Sequence, residues 1–145
     1  MRTANESKDK FTLAKLCMNL AYDPDAAMET LKLGTYTFEN NDTIAYCCIL
    51  PFSESLDAPG PQWPQDYQAP SHNAWFHLIA SNRPVNIRAI IRHTLKDGRF
   101  LFPLNVYARP VNGRLYKVVT RLYGAKAVPD YPHICHAMIA SPAAL

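Results

Sequence analysis

The sequence predicts an α+β fold: an N-terminal helical pair packed on a mainly antiparallel sheet of about five strands that ends in a three-stranded meander. Three observations carry this expectation. Apolar residues recur at clear helical spacing near the N-terminus; beyond residue 35, runs of strand formers alternate with turn residues; and twelve prolines stand against five glycines. So many prolines mean short extended segments and ordered loops, which argues against a helical bundle. A chain of 145 residues fits one domain, long enough to bury a core without disulfides or metals.

The elements follow in order. Residues 1–8 are polar and expected to fray. From Asp9 onward Leu13, Leu16, Cys17 and Leu20 share one helical face. Asp23-Pro24-Asp25 opens a second helix, with Asp23 as its cap, Pro24 at its first position and Ala27, Met28 and Leu31 as its buried stripe. Gly34 closes that helix. Thr35 to Phe38 and Thr43 to Leu50 then read as a hairpin around the polar turn Glu39-Asn40-Asn41-Asp42. Its second strand, IAYCCIL, is almost continuously apolar and should be covered on both faces.

Residues 51–71 form a long proline-rich segment, anchored by Phe52, Leu56, Trp63 and Tyr67, that reads as an ordered surface loop. Residues 72–80 are apolar on both faces; a strand is preferred there over a short helix. Val85, Ile87, Ala89 and Ile91 alternate with Asn86, Arg88, Ile90 and Arg92, the pattern of a half-buried strand. The helical face of Ile87, Ile90, Ile91 and Leu95 is the alternative over residues 86–95. Lys96-Asp97-Gly98 supplies a hairpin turn. Phe100, Phe102, Leu104, Val106 and Ala108 line one face of the next strand, and Pro103, Asn105, Tyr107 and Arg109 the other. Pro103 puts that strand at an edge or at a bulge. After a turn at Val111-Asn112-Gly113, Leu115 to Tyr123 reads as the third strand, and Ile134 to Ala140 as a short apolar segment docked on the core.

Two of the four cysteines, Cys47 and Cys48, are adjacent and would point to opposite faces of a strand. All four, with Cys17 and Cys135, are therefore expected as buried free thiols, which points to a reducing compartment. No signal-peptide-like stretch opens the chain and no run of about 18 apolar residues could span a bilayer. The expectation is a cytoplasmic protein that makes no use of a membrane.

Charge is the most informative feature. Residues 1–82 hold five Lys/Arg against ten Asp/Glu, a net of −5, whereas residues 83–126 hold ten Lys/Arg against one acid, Asp97, a net of +9. Seven of those ten are arginine, the residue whose planar fork suits phosphate and carboxylate. Spacing places Arg88 with Arg92, Lys117 with Arg121 and Tyr123, and Tyr107 with Arg109. Together with Arg99 and Arg114, these make a candidate arginine-and-tyrosine face for an acidic protein surface or for nucleic acid. Neutralisation of the acidic first half is the bland alternative.

The chemical motifs are few. His133-Ile134-Cys135-His136 resembles half of a metal site, but the adjacent Cys47-Cys48 lacks the ligand spacing to complete it, so neither metal nor cofactor is expected. Nucleophile-elbow, phosphate-loop and dinucleotide-loop patterns are missing. The sequence reading is a non-enzymatic binding protein, such as a small inhibitor or accessory subunit of a nucleoprotein complex. The alternative is a metal-independent phosphodiesterase or nuclease using His93 with His133 or His136.

Overall fold

The computed structural model describes residues 1–19, 25, 29, 31–54, 67–109 and 113–145. Along the chain they form β1 (Arg2–Thr3), α1 (Glu6–Asn19), a 3-10 turn (Leu31–Leu33), β2 (Tyr36–Asn40), β3 (Thr43–Pro51), β4 (Ser71–Ser81), α2 (Ile87–Leu95), β5 (Phe100–Ala108), α3 (Gly113–Tyr123), β6 (Lys126–Val128), β7 (Tyr131–Ile139) and a last 3-10 turn (Pro142–Ala144). The seven strands hydrogen-bond in the order β1-β2-β3-β4-β5-β7-β6, so the class is α+β with a mixed sheet larger than expected. No helix among the described residues is long and apolar enough to cross a membrane. The residues group into two compact units, 1–49 with 77–94 and 50–76 with 95–145.

In the first unit the β2–β3 hairpin pairs Asn40 with Thr43 across the two-residue turn Asn41-Asp42, and Asn41 takes φ +53°. Asn tolerates that left-handed conformation better than most residues. Asn82 locks the hairpin end: its Nδ2 donates to the Asp42 carbonyl at 2.8 Å, and its Oδ1 accepts the Ile44 N–H at 2.8 Å. Along β3, residues 45–50 are all buried, as a strand covered on both faces requires.

Helix α1 starts at an asparagine cap, with Asn5 Oδ1 accepting the Lys8 N–H at 2.9 Å. Leu13, Leu16 and Cys17 are its buried stripe. Asp9 is buried with them, at 1% exposure, and is held by four donors. Arg2 gives two guanidinium bonds at 2.8 and 2.9 Å, the Asn5 N–H one at 2.9 Å and the Tyr46 hydroxyl one at 2.8 Å. Burial pushes the Asp9 carboxyl up, but the bonds from Arg2, Asn5 and Tyr46 outweigh it and hold the group below its ordinary value.

In the second unit β4 and β5 run parallel, pairing Ser71 with Phe100 and Asn73 to Phe76 with Asn105 to Ala108. β5 also pairs antiparallel with β7 from Leu104–Ile139 to Ala108–Cys135. Pro103 therefore sits in a central strand, not at an edge. The ladder to β4 breaks between Ser71 and Asn73, and that irregularity accommodates the missing N–H of Pro103. Phe52, Ala74, Phe76, Leu104, Val106, Val119, Cys135, Ala137 and Ile139 are among the buried residues of this unit.

Several expectations are corrected. Residues 87–95 are a helix, not a strand: Asn86 Oδ1 caps it by accepting the Ala89 N–H at 3.1 Å, and Ile90, Ile91 and Leu95 are buried. Residues 113–123 are also helical, so there is no three-stranded meander. Lys96-Asp97-Gly98 is no hairpin turn; it leads from α2 into β5, and Asp97 Oδ1 accepts the Arg99 N–H at 2.9 Å. Of the proposed second N-terminal helix, Asp25 and Glu29 are helical and Leu31–Leu33 is a 3-10 turn, while residues 20–24, 26–28 and 30 lie outside the described residues. Leu56, Trp63 and the turn residues Val111 and Asn112 also lie outside them. Strand 72–80, the first hairpin and the free, buried state of all four cysteines match the expectation. Burial pushes the Cys17 thiol up to about 11.

The Asp9 cluster gives a stability prediction. Asp9→Ala leaves the Tyr46 hydroxyl buried without its acceptor and should cost about 3 kcal/mol in urea unfolding at neutral pH. Because the folded carboxyl lies below its unfolded value, its contribution is complete above about pH 4 and is lost as pH falls through the folded pKa. The gap between wild type and Asp9→Ala should therefore narrow in acid; a gap that widens there contradicts the assignment.

Candidate functional site

Side chains on a strand alternate between faces, and directly opposed residues on neighbouring strands share a face. On β5, Leu104, Val106 and Ala108 are buried while Asn105 and Tyr107 are half-buried. On β7, Cys135, Ala137 and Ile139 are buried, His136 is half-buried and Met138 is exposed. The registers then assemble one row across four strands: Trp75 of β4 opposes Tyr107, Tyr107 opposes His136, and His136 opposes Lys126 of β6. Asn73, Asn105 and Met138 form the next row on the same face. This face of the second unit thus presents three rings followed by a cation.

The rings are held in place. Tyr107 and His136 have centroids 4.7 Å apart at 37°, and Phe52, itself buried, meets Tyr107 edge-on at 5.7 Å and 64°. His136 Nε2 lies 2.9 Å from Asn105 Oδ1, to which its N–H donates. Burial holds the His136 imidazole below its ordinary pKa, favouring the neutral ring, and pushes the Tyr107 hydroxyl up, so that it stays protonated. Tyr107, His136, Lys126 and Met138 line a cleft of about 320 Å³, with Tyr123 and Gly124 from the end of α3. Gly124, at φ +68°, donates its N–H to the Thr120 carbonyl at 2.9 Å and turns the chain out of the helix. That turn places Lys126 on β6, at the end of the ring row.

The basic residues are distributed differently from the expected sheet face. Arg88 and Arg92 stand one turn apart on α2, exposed, in the first unit. Lys117 and Arg121 are likewise one turn apart and exposed on α3, while Val119, on the opposite side of the helix, is buried. Arg109 is exposed just after β5, and the Arg114 side chain lies outside the described residues. Arg99 and Arg83 have acidic partners: Arg99 Nε donates to Asp97 at 2.9 Å and its guanidinium stands 5.1 Å from the Phe100 ring centre, and Arg83 pairs with Asp42 at 2.9 Å. Among the described residues no carboxylate pairs with Arg109, Lys117, Arg121 or Lys126.

Of the histidines considered for chemistry, His93 is exposed on α2 with its ring 6.4 Å from Phe38, and His133 is exposed on β7. No hydrogen bond among the described residues links His133 to His136. The described residues contain no group of three or more His, Cys, Asp and Glu able to hold a metal ion. The structure thus brings together Tyr107, Tyr123 and His136, and adds Trp75, Asn105, Lys126 and Met138, which the sequence alone does not assign to the site. Their signal in the sequence is the alternation along β5; β7 is legible there only as the short apolar segment Ile134 to Ala140. Compared with known proteins, the chain matches no family model, no curated protein and no solved structure.

The His136 environment is directly measurable. Its C2 proton, identified by its loss in His136→Gln, should titrate below the ordinary histidine value of about 6.5. The stability linked to the neutral ring is complete above that value and is lost as pH falls through the folded pKa. A midpoint at or above about 6.5 would show that the ring is not desolvated.

Proposed function

We propose that the protein is a non-enzymatic binding protein that engages an anionic partner through its basic segment, residues 83–126. The partner is nucleic acid or the acidic surface of a protein that handles it, and a small accessory or inhibitory subunit of a nucleoprotein complex fits this reading. The observation that carries it is the state of α3 and β6. Lys117, Arg121 and Lys126 are exposed and have no carboxylate partner among the described residues, while residues 113–129 contain no acid at all. Cations left uncompensated on one stretch of surface attract anions and quicken their encounter.

Lys117→Glu with Arg121→Glu tests this without touching the core, since both side chains are exposed. Binding to a fluorescent oligonucleotide and to polyglutamate is followed by anisotropy across a salt series. At least one polyanion should bind with an affinity that falls steeply with salt. For a nucleic acid, the double variant should lower the slope of log K against log salt by about 2, with an unchanged Tm. Absence of binding to either polyanion, or binding indifferent to salt and to the substitutions, would overturn the proposal.

A further inference from the structure

We infer that the cleft beside the ring row is a base-stacking subsite, and that the anionic partner is single-stranded nucleic acid. This rests on the proposed binding role and deepens it by naming the partner. The juxtaposition is the cross-strand row Trp75–Tyr107–His136–Lys126, with the cleft open above Tyr107, His136 and Lys126.

Three features separate this site from a merely basic surface. An acidic protein surface needs cations but has no use for a row of half-exposed rings, whereas every nucleobase offers a flat face to stack on an aromatic side chain. The rings are also rigid: Tyr107 is braced by Phe52 at 5.7 Å and by His136 at 4.7 Å, and His136 is fixed by Asn105 at 2.9 Å, so little side-chain freedom is lost on stacking. Finally, the neutral state that burial favours for His136 makes it a stacking surface and a hydrogen-bonding group, while the charge is delivered by Lys126 at the end of the row. At about 320 Å³ the cleft lies at the lower end of the range for small-ligand sites, which suits one base with its sugar and leaves the phosphate toward Lys126. A duplex, with its bases already stacked on one another, cannot use such a platform. Asn73 and Asn105, on the row beside the rings, offer amide groups to a base edge.

The test uses the full chain with four probes: a 12-nucleotide oligothymidylate, an oligouridylate of the same length, a duplex of that length, and polyglutamate. Tyr107→Leu removes the ring while keeping bulk against Phe52, Tyr107→Phe keeps the ring, and Lys126→Glu reverses the exposed cation. The expected result is preferential binding of at least one single strand, weakened at least fivefold by Tyr107→Leu and by Lys126→Glu but retained by Tyr107→Phe. Tm values show whether each variant is folded. If Tyr107→Leu does not fold, His136→Leu takes its place, with the same loss expected.

Other outcomes overturn the inference in distinguishable ways. Equal binding of single strand, duplex and polyglutamate, insensitive to Tyr107→Leu but lost in Lys117→Glu with Arg121→Glu, removes the stacking subsite and leaves the anionic-partner reading standing. Binding of polyglutamate alone assigns the basic segment to an acidic protein. Binding of none of the four removes both readings.

Discussion

The parallel pairing of β4 with β5 sets the arrangement of the second unit. Parallel neighbours cannot be joined by a tight turn; the chain must travel back the length of the strand before it pairs again. Here residues 82–99 make that return, and their regular part is α2. A hairpin at Lys96-Asp97-Gly98 would have set β5 antiparallel to a strand over 86–95 and left β4 without this neighbour. The pairing also makes β5 central, between β4 and β7, so that its two faces divide sharply into buried Leu104, Val106 and Ala108 and half-exposed Asn105 and Tyr107.

That division creates the site. Because β5 is flanked on both sides, Tyr107 acquires a ring neighbour on each adjoining strand, Trp75 in one direction and His136 in the other. An edge strand would have supplied only one. The short β6 then sets Lys126 against His136, made possible by Gly124, whose left-handed backbone ends α3 and turns the chain. The first unit has a different anchor, the buried Asp9 carboxylate gathering Arg2, the start of α1 and Tyr46 of β3 into one hydrogen-bonded cluster.

What was legible in the sequence follows from the physics of spacing. The first hairpin is legible because strand formers flank a polar turn, and β5 because its apolar residues alternate; β4, apolar on both faces, offers no period that separates strand from helix. Of the two later helices, α2 is legible only as the alternative face of Ile87, Ile90, Ile91 and Leu95, and α3 reads as a strand; the basic residues of both are four apart, Arg88 with Arg92 and Lys117 with Arg121. A spacing of four satisfies a strand period of two and nearly satisfies a helix period of 3.6. The better signals lay at the ends, with Asn86 as a cap and Gly124 as a helix stop, and in the apolar spacing of Leu115, Val119 and Leu122. For the site, Tyr107 and Tyr123 follow from their spacing with Arg109 and with Arg121, and His136 only from the alternative histidine chemistry. Lys126 and Trp75 were not assigned to it, because register across four strands is non-local and cannot be read from any one segment.

The proposed occupant of the Tyr107–His136 platform is a nucleobase. Photocrosslinking of a single-stranded oligonucleotide carrying 5-iodouracil, followed by peptide mapping, tests it at the residue. Adducts are expected on the rings of Trp75, Tyr107, Tyr123 or His136, suppressed by excess unlabelled single strand and not by duplex. Adducts confined to other aromatic residues, such as Phe11 or Tyr131, would contradict it.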